Sequence, residues 1–227
     1  MNTRSLNTNM VYSNLGNPVA LVFLEEFDCK ILDIGCGAGD TGHLIKSVFP
    51  NSKVTGITCS NLEYQLAKEK LDYSLYLDIE GDLYDSLPYE EYDVLYFLHV
   101  LEHLVDPVSV IEKCLHYLKP RGKIIIALPN IAHWTCRLKL LFGNFQYTEG
   151  GVMDKTHLHF YTFFTASEYL IDPIKNINMI KYYTNGHFPL GFLRKYFYTQ
   201  AIYIDRLCLS WKPNLFGHEI IIYATKK

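Results

Sequence analysis

The chain has 227 residues, of which 49% are hydrophobic and 20% charged, and its formal net charge is −3. This length and composition predict one globular domain with a full core, and the weakly acidic balance without any Lys/Arg run argues against a nucleic-acid partner. No apolar run approaches the ~20 residues of a membrane span, and the N-terminus lacks a signal-peptide apolar region. Six cysteines stand singly without a C-x-x-C pair, which is typical of reduced thiols, so we expect a cytoplasmic protein.

Predicted strands and helices alternate through the first 128 residues, where residues 1–28 form an N-terminal arm and cap helix. The strands are predicted at 31–34, 53–58, 74–79, 92–98 and 123–128, and the helices at 18–27, 42–48, 61–71 and 107–118. This alternation predicts an α/β fold with a doubly wound, mostly parallel sheet that has helices on both faces. Ligands of such sheets bind beyond the carboxyl ends of the strands, so residues 29–130 are the predicted cofactor-binding core.

The regular alternation stops after residue 130. Helices are predicted at 131–142 and 165–170, and strands at 178–184 and 219–225, which brings the sheet to seven strands. No internal repeat or second domain is visible, so we expect a single domain over 1–227. The segment 188–209 is aromatic and basic and could serve a homodimer interface.

The first predicted strand runs through a glycine-rich turn into a helix. Gly35, Gly37 and Gly39 let the backbone approach a ligand closely, and the start of the helix points free N–H groups at it. The stretch contains Gly37-x-Gly39-x-x-Gly42, the dinucleotide fingerprint, and also Asp33-x-Gly35-x-Gly37-x-Gly39. The second pattern resembles motif I of the class I S-adenosylmethionine (SAM) methyltransferases. Asp33 suits the ammonium group of SAM and would repel a pyrophosphate, which favours SAM over a dinucleotide and over a turn without ligand.

The end of the second strand departs from both cofactor patterns. A dinucleotide or SAM fold normally has an acid there, ~20 residues past the glycines, that binds both ribose hydroxyls. Thr58 stands in that place. We therefore expect a different ribose contact, through Thr58, Ser60 or Asn61.

Adenine and the methionine end of SAM have their own candidate contacts. The carboxylate of Asp78 can accept from the adenine amino group while the N–H of Ile79 meets a ring nitrogen, and Asp82 is the alternative to Asp78. Leu98 and His99 lead off the fourth strand. The predicted cofactor-binding set is Asp33, Gly35, Cys36, Gly37, Gly39, Thr58, Asp78, Ile79, Leu98 and His99.

Four further motifs extend the resemblance along the chain. They are VLEHLVDP at 100–107, PNIAHW at 129–134, DKTHLHFYT at 154–162 and WKPNLFG at 211–217. Together with the glycine turn they resemble the class I SAM-dependent methyltransferases, in the UbiG-like, small-molecule branch and a bacterial subgroup of it. His99 departs from the Asp that commonly precedes the first of these motifs.

The resemblance implies both a fold and an activity. It implies a Rossmann-like seven-stranded sheet in which residues 131–217 cover the acceptor site and 218–227 form the last strand. SAM would be the methyl donor and S-adenosylhomocysteine (SAH) the product. Members of the subgroup occur among polysaccharide and natural-product biosynthesis proteins, so the implied acceptor is an O or N atom of a sugar-linked or natural-product intermediate.

Histidines supply the candidate catalytic groups. Methyl transfer from a sulfonium is an in-line displacement in which the enzyme aligns the reactants and excludes water, and a hydroxyl acceptor also benefits from a general base such as His. The candidates are His103, His133, His157 and His159. We predict His157 as base or acceptor anchor, with Asp154 orienting it. His103 is a further candidate, and its alternative role is packing at the start of a helix.

The histidine segment could also hold a metal ion. Asp154, His157 and His159 offer ligand atoms, but no second spaced ligand group accompanies them. Methyl displacement needs no metal, so none is predicted.

Two other functions compete with a small-molecule methyltransferase. A SAM-binding protein without transferase activity is consistent with the departure at Thr58. A nicotinamide-dependent oxidoreductase is less favoured because of Asp33 and the absent ribose acid. Calorimetry with SAM and a methyl-release assay over pooled acceptors would separate these alternatives.

Overall fold

The computed structural model describes residues 11, 15–27, 30–81 and 87–227. The strands are β1 Lys30–Ile34, β2 Lys53–Thr58, β3 Tyr73–Tyr76, β4 Tyr92–Leu98, β5 Leu118–Pro129, β6 Ile177–Gly186 and β7 Gly217–Lys226. The described helices are α1 Val19–Val22, α2 Asp40–Val48, α3 Asn61–Lys70, α4 Pro107–Cys114, α5 Trp134–Leu141, α6 Ala166–Leu170, α7 Leu193–Tyr196, α8 Tyr198–Trp211 and α9 Pro213–Phe216, together with a 3-10 turn over Leu101–His103.

The strands form one seven-stranded sheet in the order β3-β2-β1-β4-β5-β7-β6. The five strands from β3 to β5 pair in parallel, whereas β7 runs antiparallel to both of its neighbours. The predicted doubly wound, mostly parallel, seven-stranded fold is therefore confirmed. Because β7 is antiparallel, its first residues lie at the same sheet edge as the carboxyl ends of the parallel strands.

The core lies on both faces of the sheet because successive strand residues point to opposite sides. On β1, Leu32 and Ile34 belong to the cluster that packs under α4 and α6, while Ile31 belongs to the cluster that packs under α1, α2 and α3. All three side chains are fully buried. This burial explains why β1 has a continuous apolar run up to Asp33.

Several predicted boundaries differ from the structure. The helix predicted at 18–27 is formed only over Val19–Val22, and the helix predicted at 107–118 ends at Cys114. The strand predicted at 74–79 ends at Tyr76, so Asp78 lies in the turn after it. The segment 188–209, given no secondary structure by the sequence, contains α7 and most of α8.

Candidate active site

The glycine-rich turn after β1 has the backbone geometry that only glycine adopts easily. Gly35, Gly37 and Gly39 have φ angles of 77°, 54° and 80°. The N–H groups of Gly35 and Cys36 both donate to the carbonyl of Ile57, at 2.9 Å each, which ties the turn to β2. The turn is thus held rigidly at the carboxyl edge, with Gly39 as the residue that precedes α2.

The glycines of this turn face different surroundings. A Cβ on Gly42 would lie 2.2 Å from Leu71 Cδ2, so Gly42 permits the packing of α2 against the end of α3. A Cβ on Gly37 would have only the carboxylate of Glu63 within 4 Å among the described residues, with 3.6 Å to Oε1. A Cβ at Gly37 would thus meet nothing closer than an ordinary contact distance, which leaves room for a ligand to approach the backbone.

Asp33 is a buried carboxylic acid directly before this turn. Its exposed fraction is 2%, and burial raises its pKa from 3.8 to about 7. A cationic ligand group would restore the ionised form, since an opposite charge offsets the loss of hydration. Burial, followed by the charges of Asp33 and Glu63, raises the pKa of the Cys36 thiol, so both carboxylates lie close to the turn.

Glu63 is a site residue that the sequence reasoning missed. It lies in the first turn of α3 with an exposed fraction of 6%, and its Oε2 accepts from the Thr58 hydroxyl at 2.9 Å. Ser60, one of the predicted ribose contacts, caps α3 by accepting from the Glu63 N–H at 3.4 Å. The Ser-x-x-Glu spacing of a capping box was a signal in the sequence.

The predicted adenine contacts lie in a turn after β3. Asp78 is exposed and its Oδ1 accepts from the Glu80 N–H at 3.0 Å, while Ile79 is buried. Asp82, the alternative to Asp78, lies outside the described residues. The roles of Asp78 and Ile79 toward adenine stay predictions.

Two carboxylates hold His99, which follows Leu98 at the end of β4 with a φ of 56°. Its Nε2 lies 2.7 Å from Glu219 Oε1, and its Nδ1 lies 3.5 Å from Glu102 Oε1. Burial alone would lower the pKa of His99, but Glu102 and Glu219 together raise it to about 10. His99 is therefore an imidazolium at neutral pH.

The carboxylate of Glu219 accepts hydrogen bonds from three parts of the chain. Besides His99, Asn17 Nδ2 donates to it at 3.0 Å and Asn185 Nδ2 at 3.2 Å. Burial raises the pKa of Glu219, but these contacts outweigh burial and lower it below its ordinary value. The N-terminal arm, β4, β6 and β7 are thus joined at one carboxylate on the sheet edge.

His103 is oriented by a chain of hydrogen bonds from Asp154. Asp154 Oδ1 accepts from the Thr156 hydroxyl at 2.6 Å, and the same hydroxyl oxygen lies 2.9 Å from His103 Nδ1. Since the hydroxyl proton is given to Asp154, the oxygen accepts from His103 Nδ1–H. The other ring nitrogen, Nε2, is then the basic one in neutral His103.

His157 packs against His103, with ring centroids 4.7 Å apart. Its Nδ1 lies 3.1 Å from the Val152 carbonyl, which can only accept, so this nitrogen carries the proton. Burial lowers the pKa of His157, although Glu102 opposes the shift. Its Nε2, 4.0 Å from Glu102 Oε1, therefore has a free lone pair at neutral pH.

Asp154 relates to the two histidines in different ways. Burial raises the pKa of Asp154, but the hydrogen bonds from Thr156 and the nearby His157 and His103 lower it overall. Toward His157 its effect is a charge effect, whereas toward His103 it acts through Thr156. The structure thus brings the three predicted catalytic residues together in one cluster.

Glu102, His103 and His157 are the residues that could hold a metal ion. Their ligand atoms lie within 4.8 Å of one another, and the 1%-exposed Glu102 has one oxygen, Oε2, without a hydrogen-bond partner in the described structure. The sequence pointed instead to Asp154, His157 and His159 as the ligand set. The prediction that the protein uses no metal stays a prediction.

The two remaining histidine candidates have structural partners. His159 Nε2 lies 3.3 Å from the Val105 carbonyl, and His133 Nδ1 lies 2.8 Å from Thr135 Oγ1. Burial, with the charges of neighbouring histidines, lowers the pKa of His133 to about 4. His133 is thus neutral across the physiological range.

A cleft of about 240 Å³ opens between α5 and the loop that leads to Asp154, and its lining includes none of Asp154, His103 and His157. Its lining includes Ile131, Cys136, Leu140, Phe145 and Met153. It contains no residue of the glycine-rich turn. A mainly apolar molecule could therefore enter beyond the end of β5 without overlapping the predicted cofactor site.

Comparison with known proteins identifies the family. Residues 25–163, more than half of the chain, match a protein family described as "Methyltransferase domain". The chain belongs to this family. The predicted enzyme class is thereby confirmed at the level of the family, whereas the finer subgroup that the motifs suggested stays a prediction.

Individual relatives of this methyltransferase domain agree with that assignment. The ubiquinone biosynthesis O-methyltransferase of Idiomarina loihiensis is 28% identical over 154 residues, which cover 63% of this chain and 61% of the relative. The chain thus spans less than two thirds of that relative's length.

Solved structures agree with the fold. A SAM-dependent methyltransferase from Archaeoglobus fulgidus superposes with a TM-score of 0.59 at 20% identity, covering 88% of this chain and 87% of the other. The plantazolicin methyltransferase BpumL in complex with a pentazolic desmethylPZN analog and SAH superposes with a TM-score of 0.56 at 21% identity, covering 92% of this chain and 80% of the other. At these identities the likeness concerns the fold. Within the described part of the methyltransferase domain, no helix has the length and apolar character needed to cross a membrane.

Proposed function

We propose that this methyltransferase domain binds SAM across the glycine-rich turn and moves its methyl group to an O or N atom of a small molecule. The observation that carries the proposal is the pairing of an open turn at Gly37 with the buried acid Asp33. This arrangement fits SAM, because its amino end is cationic and its body needs close backbone approach. A nicotinamide dinucleotide fits less well, since its pyrophosphate would meet Asp33.

The residues of this chain would act mainly by positioning. When bound, SAM supplies a methyl group on a sulfonium that transfers in a single displacement. Asp33 would hold the ammonium end, and the turn 35–39 would fix the cofactor against the sheet edge. His157 would remove the proton from an acceptor hydroxyl, because its Nε2 is unprotonated at neutral pH. His103 is the second candidate for that role.

The acceptor is proposed to enter through the cleft beside α5. Its lining by Leu140, Phe145 and Met153 suits an apolar or ring-bearing part of a molecule. The name of the Idiomarina relative refers to an O-methyltransferase, which supports oxygen as the accepting atom. A sugar-linked or natural-product intermediate is the proposed acceptor class.

Compartment and assembly are proposed on separate grounds. The cysteines at 36, 59, 114, 136 and 208 are free thiols, which supports a cytoplasmic location. Phe192, directly before α7, Tyr196 on α7 and Tyr198 on α8 have exposed side chains, which supports a homodimer through this face. Sedimentation of the purified chain tests the dimer.

Methyl transfer can be tested directly with SAM that carries a labelled methyl group. The purified chain is incubated with this SAM and pooled extracts of small molecules, and products are compared with a His157→Ala control. The proposal expects SAH formation together with label in one acceptor class, and little label with the control. Tight SAH binding without any transfer would instead favour the SAM-binding protein that lacks transferase activity.

A further inference from the structure

The second strand ends without the acid that normally binds the ribose of such a cofactor. Thr58 occupies that place, and its hydroxyl donates to Glu63 Oε2 at 2.9 Å. Thr58 is therefore a donor to a carboxylate. A ribose hydroxyl that donates at this edge would need a different acceptor.

The carboxylate of Glu63 lies where that acceptor is needed. Its Oε1 would be 3.6 Å from a Cβ on Gly37, and no described residue other than the chain neighbours of Gly37 and Glu63 itself lies within 4 Å of that position. The side chain is 6% exposed, yet it borders the open space over the turn. It thus reaches from α3 to the glycines that approach the cofactor.

Hydrogen bonds fix Glu63 in this direction. In a capping box the Glu side chain would reach back to the N–H of the cap residue. Here the Ser60 N–H donates instead to Thr58 Oγ1, at 3.2 Å, and Thr58 links that N–H to the Glu63 carboxylate. The charges of both acids raise the pKa of the Cys36 thiol, which agrees that Glu63 and Asp33 both lie close to the turn.

We infer that Glu63 binds the ribose hydroxyls of the cofactor, in place of an acid at the end of β2. The inference rests on the proposed function, because it assumes a cofactor with a ribose over Gly37. Thr58 is then a positioning residue that holds the Glu63 carboxylate. The two acids then contact different parts of the cofactor, Asp33 the amino end and Glu63 the ribose.

Calorimetric titration with SAH tests this assignment without any need for an acceptor. Glu63→Gln should weaken SAH binding by about 10-fold to 100-fold, because hydrogen bonds to a charged acceptor are lost. Glu69→Gln makes the same chemical change on an exposed position of α3 and should leave the affinity unchanged. An SAH analogue without the two ribose hydroxyls should bind wild type weakly and lose nothing further with Glu63→Gln.

A rescue variant separates a ribose contact from a purely structural role. Thr58→Asp in the Glu63→Gln background returns an acid to the end of β2 and should recover at least part of the lost affinity. Thermal unfolding of each variant reports on the fold independently. Unchanged SAH affinity in a folded Glu63→Gln variant would overturn the inference and leave the proposed function standing. Absence of SAH binding by wild type would overturn both.

Discussion

His99 Nε2 lies 2.7 Å from Glu219 Oε1, and this contact joins the end of β4 to the start of β7 past β5, the strand that lies between them in the sheet. With Glu102 on its other nitrogen, His99 is a cation held between two acids. The positive charge therefore lies at the point where the parallel part of the sheet meets its antiparallel part.

This ion pair predicts a pH-dependent contribution to stability. The pKa of His99 is raised from 6.5 to about 10, so the contribution is fully present below pH 6.5 and is lost as the pH rises through 10. The difference in Tm between wild type and His99→Gln should shrink over that window. Thermal unfolding at intervals from pH 6 to about 10 measures it. A difference that stays constant with pH would contradict the charged state of His99.

Asp33 predicts a conflict between stability and cofactor binding. Because burial raises the pKa of Asp33 from 3.8 to about 7, the cost of ionising it without a bound cation grows as the pH rises from 3.8 to 7 and is fully present above that pH. At pH 8, Asp33→Asn should raise the Tm of the ligand-free protein by a few degrees, at ~2–4 °C per kcal/mol for a domain of this size. The same variant should lose most of its affinity for SAM.

The pH dependence of SAM binding follows from the same group. In wild type the affinity should fall as the pH drops below 7, since the bound ammonium requires ionised Asp33. Asp33→Asn should remove that slope. Calorimetry at pH 6 and pH 8 measures the SAM affinity of wild type and of Asp33→Asn. An equal pH dependence of affinity in the two proteins would show that Asp33 does not contact the cofactor.

Two glycine substitutions should have different effects although both positions have positive φ. A Cβ on Gly35 would lie 2.6 Å from Val100 Cγ2, so Gly35→Ala should destabilise the fold by about 2 kcal/mol or more through clash and strain. A Cβ on Gly37 would meet only the Glu63 carboxylate, at an ordinary contact distance of 3.6 Å, so no clash is expected. Gly37→Ala should therefore lower the free energy of unfolding by only about 1–2 kcal/mol, through backbone strain. Its loss of SAH affinity should be larger than this strain alone explains. Denaturant unfolding and SAH titration of both variants make the comparison.

Most of the sheet could be predicted from local pattern, because a buried parallel strand needs a continuous apolar run. The bounds of β2 and β4 were predicted correctly for this reason. The helix α8 was not predicted, since apolar residues such as Ile202, Ile204 and Leu207 stand on several sides of it and hide a 3.6-residue period.

The site was predicted where its residues follow strand ends and missed where it depends on tertiary contacts. The strand rule pointed to Asp33 and His99, and the structure places both at the carboxyl ends of β1 and β4, while their contacts with a cofactor stay predictions. Glu219 was missed because it meets His99 across 120 residues of sequence. Glu63 was missed because its role depends on how α3 packs over the turn, which no local pattern specifies.

The histidine cluster predicts a graded loss of turnover. His157→Ala should retain SAM affinity and lower kcat by about 10²-fold to 10⁴-fold, as expected for removal of a general base. Thr156→Val breaks the link from Asp154 to His103 and should cost about 10-fold if His103 shares the role. If His103→Ala lowers kcat by about 10²-fold to 10⁴-fold and His157→Ala has little effect on it, the general base is His103. The assay is the labelled-methyl transfer once an acceptor is known.

The central claim is that SAM lies across the turn after β1. Titration of the purified chain with SAH in a calorimeter, beside Asp33→Asn and Gly37→Ala, tests it most directly. We expect one saturable site per chain in wild type and a large loss of affinity in both variants. No binding of SAH by the folded wild-type chain, or equal binding by all three proteins, would contradict it.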